Sequence, residues 1–115
     1  MQSNTIFTLG SARLDKTEID ILHFVDSTGE VCDRRWSVTE LAEKCNLFAS
    51  DATAAVDMLI LNGLMENDGE DELMGRMVHV PDIAQEWIEE HADTINSLYY
   101  MNDTSLFEDD ETASA

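Results

Sequence analysis

The chain has 115 residues, 43% of them hydrophobic, which is enough for one folded domain with a single core and too little for two. Asp and Glu number 25 against 6 Lys and Arg, so the formal net charge is −19 at neutral pH. No apolar run approaches the roughly 20 residues that span a bilayer, and no basic-then-apolar signal pattern opens the chain, so we expect a cytoplasmic protein without a membrane segment.

The strongly acidic composition has two explanations. In a salt-loving cell, dense carboxylates keep a protein surface hydrated, and molar salt screens their mutual repulsion. In an ordinary cytoplasm, the same charge would let the chain mimic a polyanion or bind a basic partner. The acidic residues are spread over every segment, and Lys16 and Lys44 are the only lysines. This even spread favours adaptation to high salt.

The first part of the chain predicts an N-terminal extension followed by one helix. Residues 1–12 have no helical period, and the stretch from Thr5 to Leu9 predicts a short strand or an arm. Asp15 and Glu18 form a capping box that starts the first helix, and Gly29 follows its end. The predicted apolar stripe of this helix consists of Ile21, Leu22 and Val25, with Ile19 and Phe24 at its margins.

A helix-turn-helix pattern comes next. Residues 31–36 are short and partly extended, and Ser37 with Glu40 forms a second capping box that starts a helix reaching about Cys45. Residues 46–49 form a turn, and a third helix runs from about residue 50 to residue 62, where Gly63 ends it in a left-handed conformation. Its predicted buried side consists of Ala52, Val56, Leu59 and Ile60.

The last part of the chain predicts a hairpin, a long helix and a tail. Asn67-Asp68-Gly69 is a hairpin-turn signal, and residues 73–80 supply the returning strand. Pro81 and Asp82 start a helix that reaches about residue 100, with Gln85 in the capping-box position. Residues 101–115 are acidic and polar, which predicts disorder. The helix carries a seam longer than a small core needs, which predicts a dimer interface: Ile83, Trp87, His91, Ile95 and Leu98.

This order of elements predicts a mainly α fold with a small β-hairpin wing, a winged helix-turn-helix with a C-terminal dimerisation helix. Residues 37–47 resemble the second helix and turn of bacterial and archaeal regulators, and Gly63-Leu64 resembles their step into the wing. Over residues 14–80 the chain resembles the dimeric winged helix-turn-helix transcription regulators of haloarchaea, of the PadR, MarR or ArsR kind. The domains expected are an arm or strand (1–12), the winged helix-turn-helix (13–80), the dimerisation helix (81–100) and the acidic tail (101–115).

The resemblance implies a homodimer that binds double-stranded DNA, with the third helix of each subunit in a major groove. The residues expected to contact DNA are Arg34, Arg35, Lys44, Ser50, Thr53, Ala54 and Arg76. The four cations among them are few beside the roughly six to ten phosphate contacts of a strong binder. The wing adds five carboxylates, so bound cations that bridge carboxylate to phosphate at high salt are part of this hypothesis. The alternative is an acidic winged-helix interaction module or polyanion mimic that does not bind DNA.

The sequence contains no pattern typical of catalysis or of a cofactor. Cys32 and Cys45 are more typical of small packed side chains than of a redox switch. His23, His79 and His91 lie on three different elements without metal-ligand spacing, so no metal site is expected. The chain is expected not to be an enzyme. A third possibility is a regulator that dissociates from DNA when a small molecule binds between its helices, although no residue pattern marks such a pocket.

Overall fold

The computed structural model describes residues 6–100, which form five helices and two small antiparallel sheets. None of these helices combines the length and the hydropathy that a bilayer crossing requires. The acidic tail predicted for residues 101–115 lies outside the described residues, as do residues 1–5. The elements in chain order are β1 (Ile6–Leu9), β2 (Ala12–Asp15), α1 (Lys16–Thr28), β3 (Trp36–Ser37), α2 (Val38–Lys44), α3 (Ala49–Leu61), β4 (Glu66–Asp71), β5 (Gly75–His79), α4 (Asp82–Glu90) and α5 (92–100).

The N-terminal strand predicted near residues 5–9 is β1, and it pairs with β2 in a hairpin that the sequence did not predict. Ala12 and Leu14 are buried while Arg13 between them is exposed, the alternation of a half-buried strand. The strand has only four residues, and the last of them, Asp15, already caps the next helix, so the pattern was too short to recognise.

Helix α1 begins and ends as its capping residues predict. The Glu18 N–H donates to the Asp15 carboxylate at 3.0 Å, and the Asp15 N–H donates to the Glu18 carboxyl group at 3.2 Å, which completes the capping box. Gly29 ends the helix at φ 76°. Ile19, expected at the margin of the stripe, is instead fully buried.

The second capping box is only half formed. Ser37 accepts the Glu40 N–H at 3.2 Å, but the Glu40 carboxylate turns to the Arg34 guanidinium instead of returning to the cap. The Ser37 hydroxyl donates in turn to the Met74 carbonyl oxygen at 2.9 Å. One side chain therefore caps α2 and holds the start of that helix against the turn between β4 and β5.

The wing is the hairpin of β4 and β5, and β3 completes a three-stranded sheet in the order β3-β5-β4. The predicted hairpin turn is wrong: Asn67-Asp68-Gly69 lies inside β4, where the register shifts and Gly69 has φ 80°. Such a sequence suits a bulge as well as a turn, because both need a positive φ. The actual turn spans residues 72–74, because the Asp71 carboxylate accepts the N–H groups of Leu73 at 2.8 Å and Met74 at 2.9 Å.

The predicted single helix over residues 81–100 is two helices that meet at His91. The His91 N–H bonds to the Trp87 carbonyl oxygen at 3.1 Å, and its Nδ1 lies 2.8 Å from the same oxygen. The break lets Ile88 from α4 and Ile95 from α5 both reach the core, with 0% and 1% of their surfaces exposed. The predicted Gln85 cap is wrong as well, because this side chain bonds to Glu89 and α4 has no side-chain cap.

One hydrophobic core joins both hairpins and all five helices. α1 and α3 bury their apolar sides against each other, and α2 packs against α3. The largest fully buried side chains are Trp36, Leu14, Ile19, Ile21, Leu22, Leu41, Leu59, Met65, Ile88 and Ile95.

Candidate nucleic-acid interface

Helix α3 presents three of the predicted contact residues on one exposed face. Ser50, Thr53 and Ala54 are exposed, whereas the core residues of the same helix point the other way. Two carboxylates, Asp51 and Asp57, share the exposed face. Ala52, Val56 and Leu59 are buried as predicted, together with Ala55, while Ile60 is only half-buried.

Arg76 ties the wing to α3 instead of pointing freely outward. Its guanidinium lies 2.9 Å from the Asp57 carboxylate and also donates to the Asn67 side-chain oxygen, with nitrogen–oxygen distances of 2.9 and 3.1 Å. Asp57 and Arg76 are 19 positions apart. Sequence reasoning missed this role of Asp57, because no local pattern connects a helix residue with a strand that follows it so much later.

Arg34 and Arg35 are also paired with carboxylates of the chain itself. Arg34 lies over the Trp36 ring, 4.1 Å from its centroid, and forms an ion pair with Glu40. Arg35 lies 3.3 Å from the Asp68 carboxylate and donates to the Asp68 carbonyl oxygen at 3.0 Å. The residues before α2 are therefore joined to the wing, and neither guanidinium is free.

A histidine extends this network along the wing. His79 Nε2 lies 3.1 Å from the Glu66 carboxylate, and its Nδ1 lies 3.4 Å from the Asp68 carboxylate that Arg35 also approaches. The 3.4 Å contact lacks hydrogen-bond geometry, which leaves Nδ1 buried without a hydrogen-bond partner among residues 6–100. The β4 carboxylates of Glu66 and Asp68 thus lie beside two basic side chains, Arg35 and His79.

Lys44 differs from the three arginines. It is exposed at the end of α2 and forms no ion pair with any residue between positions 6 and 100. Of the four cations predicted to meet phosphate, only Lys44 is thus unpaired within this part of the chain. Exposed ion pairs contribute only about 0–1 kcal/mol each, so phosphate can displace Asp68 from Arg35 and Asp57 from Arg76 at small cost. The Arg34–Glu40 pair is half-buried.

The wing turn itself is acidic and apolar. Leu73 is 93% exposed at its tip, between Glu72 and Met74. The N–H groups of Met74 and Leu73 hold the pKa of the Asp71 carboxyl group below its usual value, so this group is ionised at neutral pH. A tip of this composition brings no cation to a phosphate backbone.

The residues predicted for the dimer seam do not form one exposed stripe. Ile83 is 74% exposed, and Trp87, His91 and Leu98 are half-buried. Ile95 is buried in the chain's own core. Trp87 stacks on His91 with ring centroids 4.3 Å apart, and the most accessible apolar side chain of α4 is Ile83.

The two cysteines are packed thiols rather than reactive ones. Cys32 donates to the Val80 carbonyl oxygen at 3.0 Å, and Cys45 lies 3.7 Å from the Asp20 carbonyl oxygen. Burial raises the pKa of both thiols, that of Cys45 to about 11, so both stay protonated near neutral pH. Within residues 6–100, no three His, Cys, Asp or Glu side chains gather into a group that could hold a metal ion.

The fold is similar to that of several solved structures. A MarR family transcriptional regulator from Silicibacter pomeroyi DSS gives a TM-score of 0.55 at 20% identity, over 72% of this chain and 53% of that protein. The adhesin competence repressor AdcR from Streptococcus pyogenes gives 0.54 at 18% identity, over 83% and 67%. NMB1585, a MarR family regulator from Neisseria meningitidis, gives 0.52 at 17% identity, over 88% and 74%.

These likenesses concern the fold. The chain spans about half the length of the Silicibacter regulator. No protein-family model matches the sequence, and no curated protein matches it. Because α2, the turn and α3 are followed by a two-stranded wing, as the sequence predicted, the chain has the winged helix-turn-helix fold of the MarR-family structures.

Proposed function

We propose that the protein is a sequence-specific DNA-binding transcription regulator. The observation that carries the proposal is the exposed face of α3, where Ser50, Thr53 and Ala54 lie beside one another on a helix that the core holds in place. In winged helix-turn-helix proteins the corresponding helix enters the major groove. The structures of similar fold include proteins named as transcriptional regulators, which supports the same function here.

The charges define how such a protein would bind. Arg34, Arg35 and Arg76 would exchange their internal carboxylates for phosphates, and Lys44 would add a contact without losing one. With 25 acidic residues in the chain, this exchange is least opposed in concentrated salt, where repulsion between wing and phosphate is screened. We therefore place the protein in a salt-rich cytoplasm, where bound cations bridge wing carboxylates to phosphates.

The proposed active species is a homodimer through the C-terminal helices. Ile83 offers the most exposed apolar contact, and Trp87, His91 and Leu98 add half-buried side chains. Ile95 takes part only as the core residue that positions α5. Two copies would set two α3 helices toward successive major grooves of one duplex.

The test is DNA binding measured from dilute buffer to molar potassium chloride, after selection of preferred duplexes from a random pool. Arg34→Ala and Arg35→Ala should weaken binding to all sequences about equally, whereas changes at Thr53 or Ala54 should alter sequence preference. Arg13→Ala is the matched control, since Arg13 is an exposed cation on β2, outside the proposed interface.

Two results would contradict parts of this proposal. If Arg13→Ala weakens binding as much as Arg35→Ala, the contacts are non-specific attraction. If affinity is measurable in dilute buffer and falls steadily with salt, cations do not bridge wing and phosphate.

A second candidate function is an acidic module that binds a basic protein. The wing favours it, since Leu73 is 93% exposed on a tip next to ionised Asp71. Recovery of a basic partner that is lost on Leu73→Ser, together with no selected DNA sequence at any salt concentration, would establish this function instead.

A further inference from the structure

Phe48 is the most exposed aromatic side chain among residues 6–100, with 79% of its surface accessible. It occupies the N-cap position of α3, where Ser, Thr, Asp or Asn is usual, and α3 has no side-chain cap. The residue therefore supplies neither a helix cap nor burial in the core. The DNA contacts proposed above assign it no role.

The composition of α3 limits which bases the helix can read. The helix contains no Arg, Lys, Asn or Gln, the side chains that bond to guanine and adenine in the major groove. Carboxylates accept from the cytosine amino group, and apolar groups contact the thymine methyl group. The exposed residues of α3 are small, acidic or apolar, which suits pyrimidines: Ala49, Ser50, Asp51, Thr53, Ala54, Asp57, Met58 and Leu61.

The position of Phe48 places its ring where base contacts are made. In helix-turn-helix proteins, the N-terminal residues of the recognition helix contact the base edges. Phe48 directly precedes the first turn of α3, and the exposed Thr53 and Ala54 follow one turn later. Leu61 ends the helix about 18 Å from its start, at a rise of roughly 1.5 Å per residue.

The charge of the chain favours an apolar base contact over a charged one. Salt weakens contacts between ions, whereas the attraction between apolar groups is not screened. Asp57, one of the two acidic side chains on the exposed face, is already paired with Arg76 at 2.9 Å. In a protein of net charge −19, an apolar contact is a form of direct readout that the protein's own charge does not oppose.

We propose that Phe48 is a specificity-determining residue that contacts the C5 methyl group of thymine in the major groove. The methyl groups of Thr53 and Ala54 extend this apolar contact along the helix. The inference rests on the DNA-binding function proposed above and names the base that the start of α3 reads. Duplexes selected from a random pool should accordingly carry thymine at a fixed position.

Deoxyuridine tests the contact, because it pairs as thymine does and lacks only the methyl group. Each thymine of a selected duplex is replaced in turn, and the affinity of the full chain is measured. At the thymine that Phe48 contacts, affinity should fall about fourfold, the value of one buried methyl group. This preference should be the same in dilute buffer and in molar potassium chloride, since the contact carries no charge.

Variants then assign the preference to Phe48. Phe48→Ser should bind the thymine duplex about tenfold more weakly and should no longer distinguish thymine from deoxyuridine. Serine is a favoured N-cap residue, so this variant keeps α3 folded, which thermal unfolding verifies. Phe48→Leu keeps an apolar side chain and should retain the preference. Leu61→Ser is the matched control, because Leu61 is 77% exposed at the other end of α3 and should leave the preference unchanged.

The outcomes separate this inference from the function on which it rests. If no duplex is selected at any salt concentration, the DNA-binding function is wrong and the contact is wrong with it. If a duplex is selected but tolerates deoxyuridine at every thymine, or if Phe48→Ser keeps the preference, only the role of Phe48 is overturned. An equal loss of preference in Leu61→Ser would also overturn it, because the effect would not be local to the start of α3.

Discussion

The carboxyl group of Glu18 makes the stability of the protein depend on pH in a direction that one substitution can isolate. Glu18 is only 3% exposed beneath the start of α1. Burial, and next the negative charge of Asp15, raise the pKa of this carboxyl group from 4.5 to about 7. Between pH 4.5 and about 7, the Glu18 carboxyl group therefore keeps its proton in the folded protein, whereas it has released it in the unfolded chain. The stabilising effect of that proton is full below pH 4.5 and is lost as the pH rises through 7.

The size of the effect follows from the two pKa values. One unit of pKa difference corresponds to about 1.4 kcal/mol, so a change from 4.5 to about 7 corresponds to about 3 kcal/mol above neutral pH. That is a large share of the roughly 5–15 kcal/mol by which domains are stable. Glu18→Gln removes the charge and keeps an oxygen that can accept the Asp15 N–H. The variant should be about 3 kcal/mol more stable than the parent at pH 8 and equal to it at pH 4.

Urea unfolding across this pH range, followed by the fluorescence of the fully buried Trp36, measures the difference. Glu43→Gln is the control, because it removes one carboxylate from an exposed position on α2 and should change stability by less than about 0.5 kcal/mol at any pH. The effect of Glu18→Gln should persist in molar salt, since burial is its main cause. A stability difference that is the same at pH 4 and pH 8, or a variant less stable than the parent at pH 8, would refute this reasoning.

Three further predictions concern the wing and α4. A double-mutant cycle of Arg76→Gln and Asp57→Asn should give a coupling of about 0.5 kcal/mol that falls toward zero as salt rises; a coupling unaffected by salt would argue against a screened ion pair. Gly69→Ala should lower the free energy of unfolding by about 1–2 kcal/mol in a thermal melt, because φ is 80° although the space beside it is open; no change would mean that the bulge is not retained. Ile88→Ala should cost about 2–5 kcal/mol of stability, whereas Ile83→Ala should leave monomer stability nearly unchanged and weaken self-association in sedimentation experiments.

The parts of the fold that local chemistry decides could be predicted from the sequence. Asp15 with Glu18 starts α1, Gly29 ends it, and Gly63 at φ 78° follows α3, all as expected. The periodicity of α3 also separated its exposed face from its core face. In these places neighbouring residues alone decide the backbone conformation.

The remaining features depend on contacts between distant segments. The wing turn lies at residues 72–74 and not at residues 67–69, where Gly69 would suit a turn equally well. The Ser37 hydroxyl, which is 37 positions away, donates to the Met74 carbonyl oxygen at 2.9 Å and holds the turn there. The C-terminal segment forms two helices instead of the predicted one, because Ile88 and Ile95 both reach the core only when the chain bends at His91. In both places two backbone conformations suit the local sequence equally well. Contacts with distant segments decide which of the two forms.

The charges of the candidate interface could also be predicted only in part from the sequence. The sequence pointed to Arg35 as a cation near α2, but not to its partner Asp68, which lies 33 positions later. The pairing changes what the residue can do, since its charge is already compensated within the folded chain. A count of cations therefore overestimates the attraction that this surface exerts on a polyanion.

The two arginine contacts that hold the wing also bear on the entropy of association. Arg35 fastens β4 to the segment before α2, and Arg76 fastens β5 to α3, so the hairpin is anchored along both of its strands. A loop that is free in solution loses conformational freedom when a partner fixes it, whereas an anchored hairpin has already lost it during folding. Concentrated salt weakens both anchors. The wing of this protein is therefore most preorganised in dilute solution and gains mobility as the salt concentration rises.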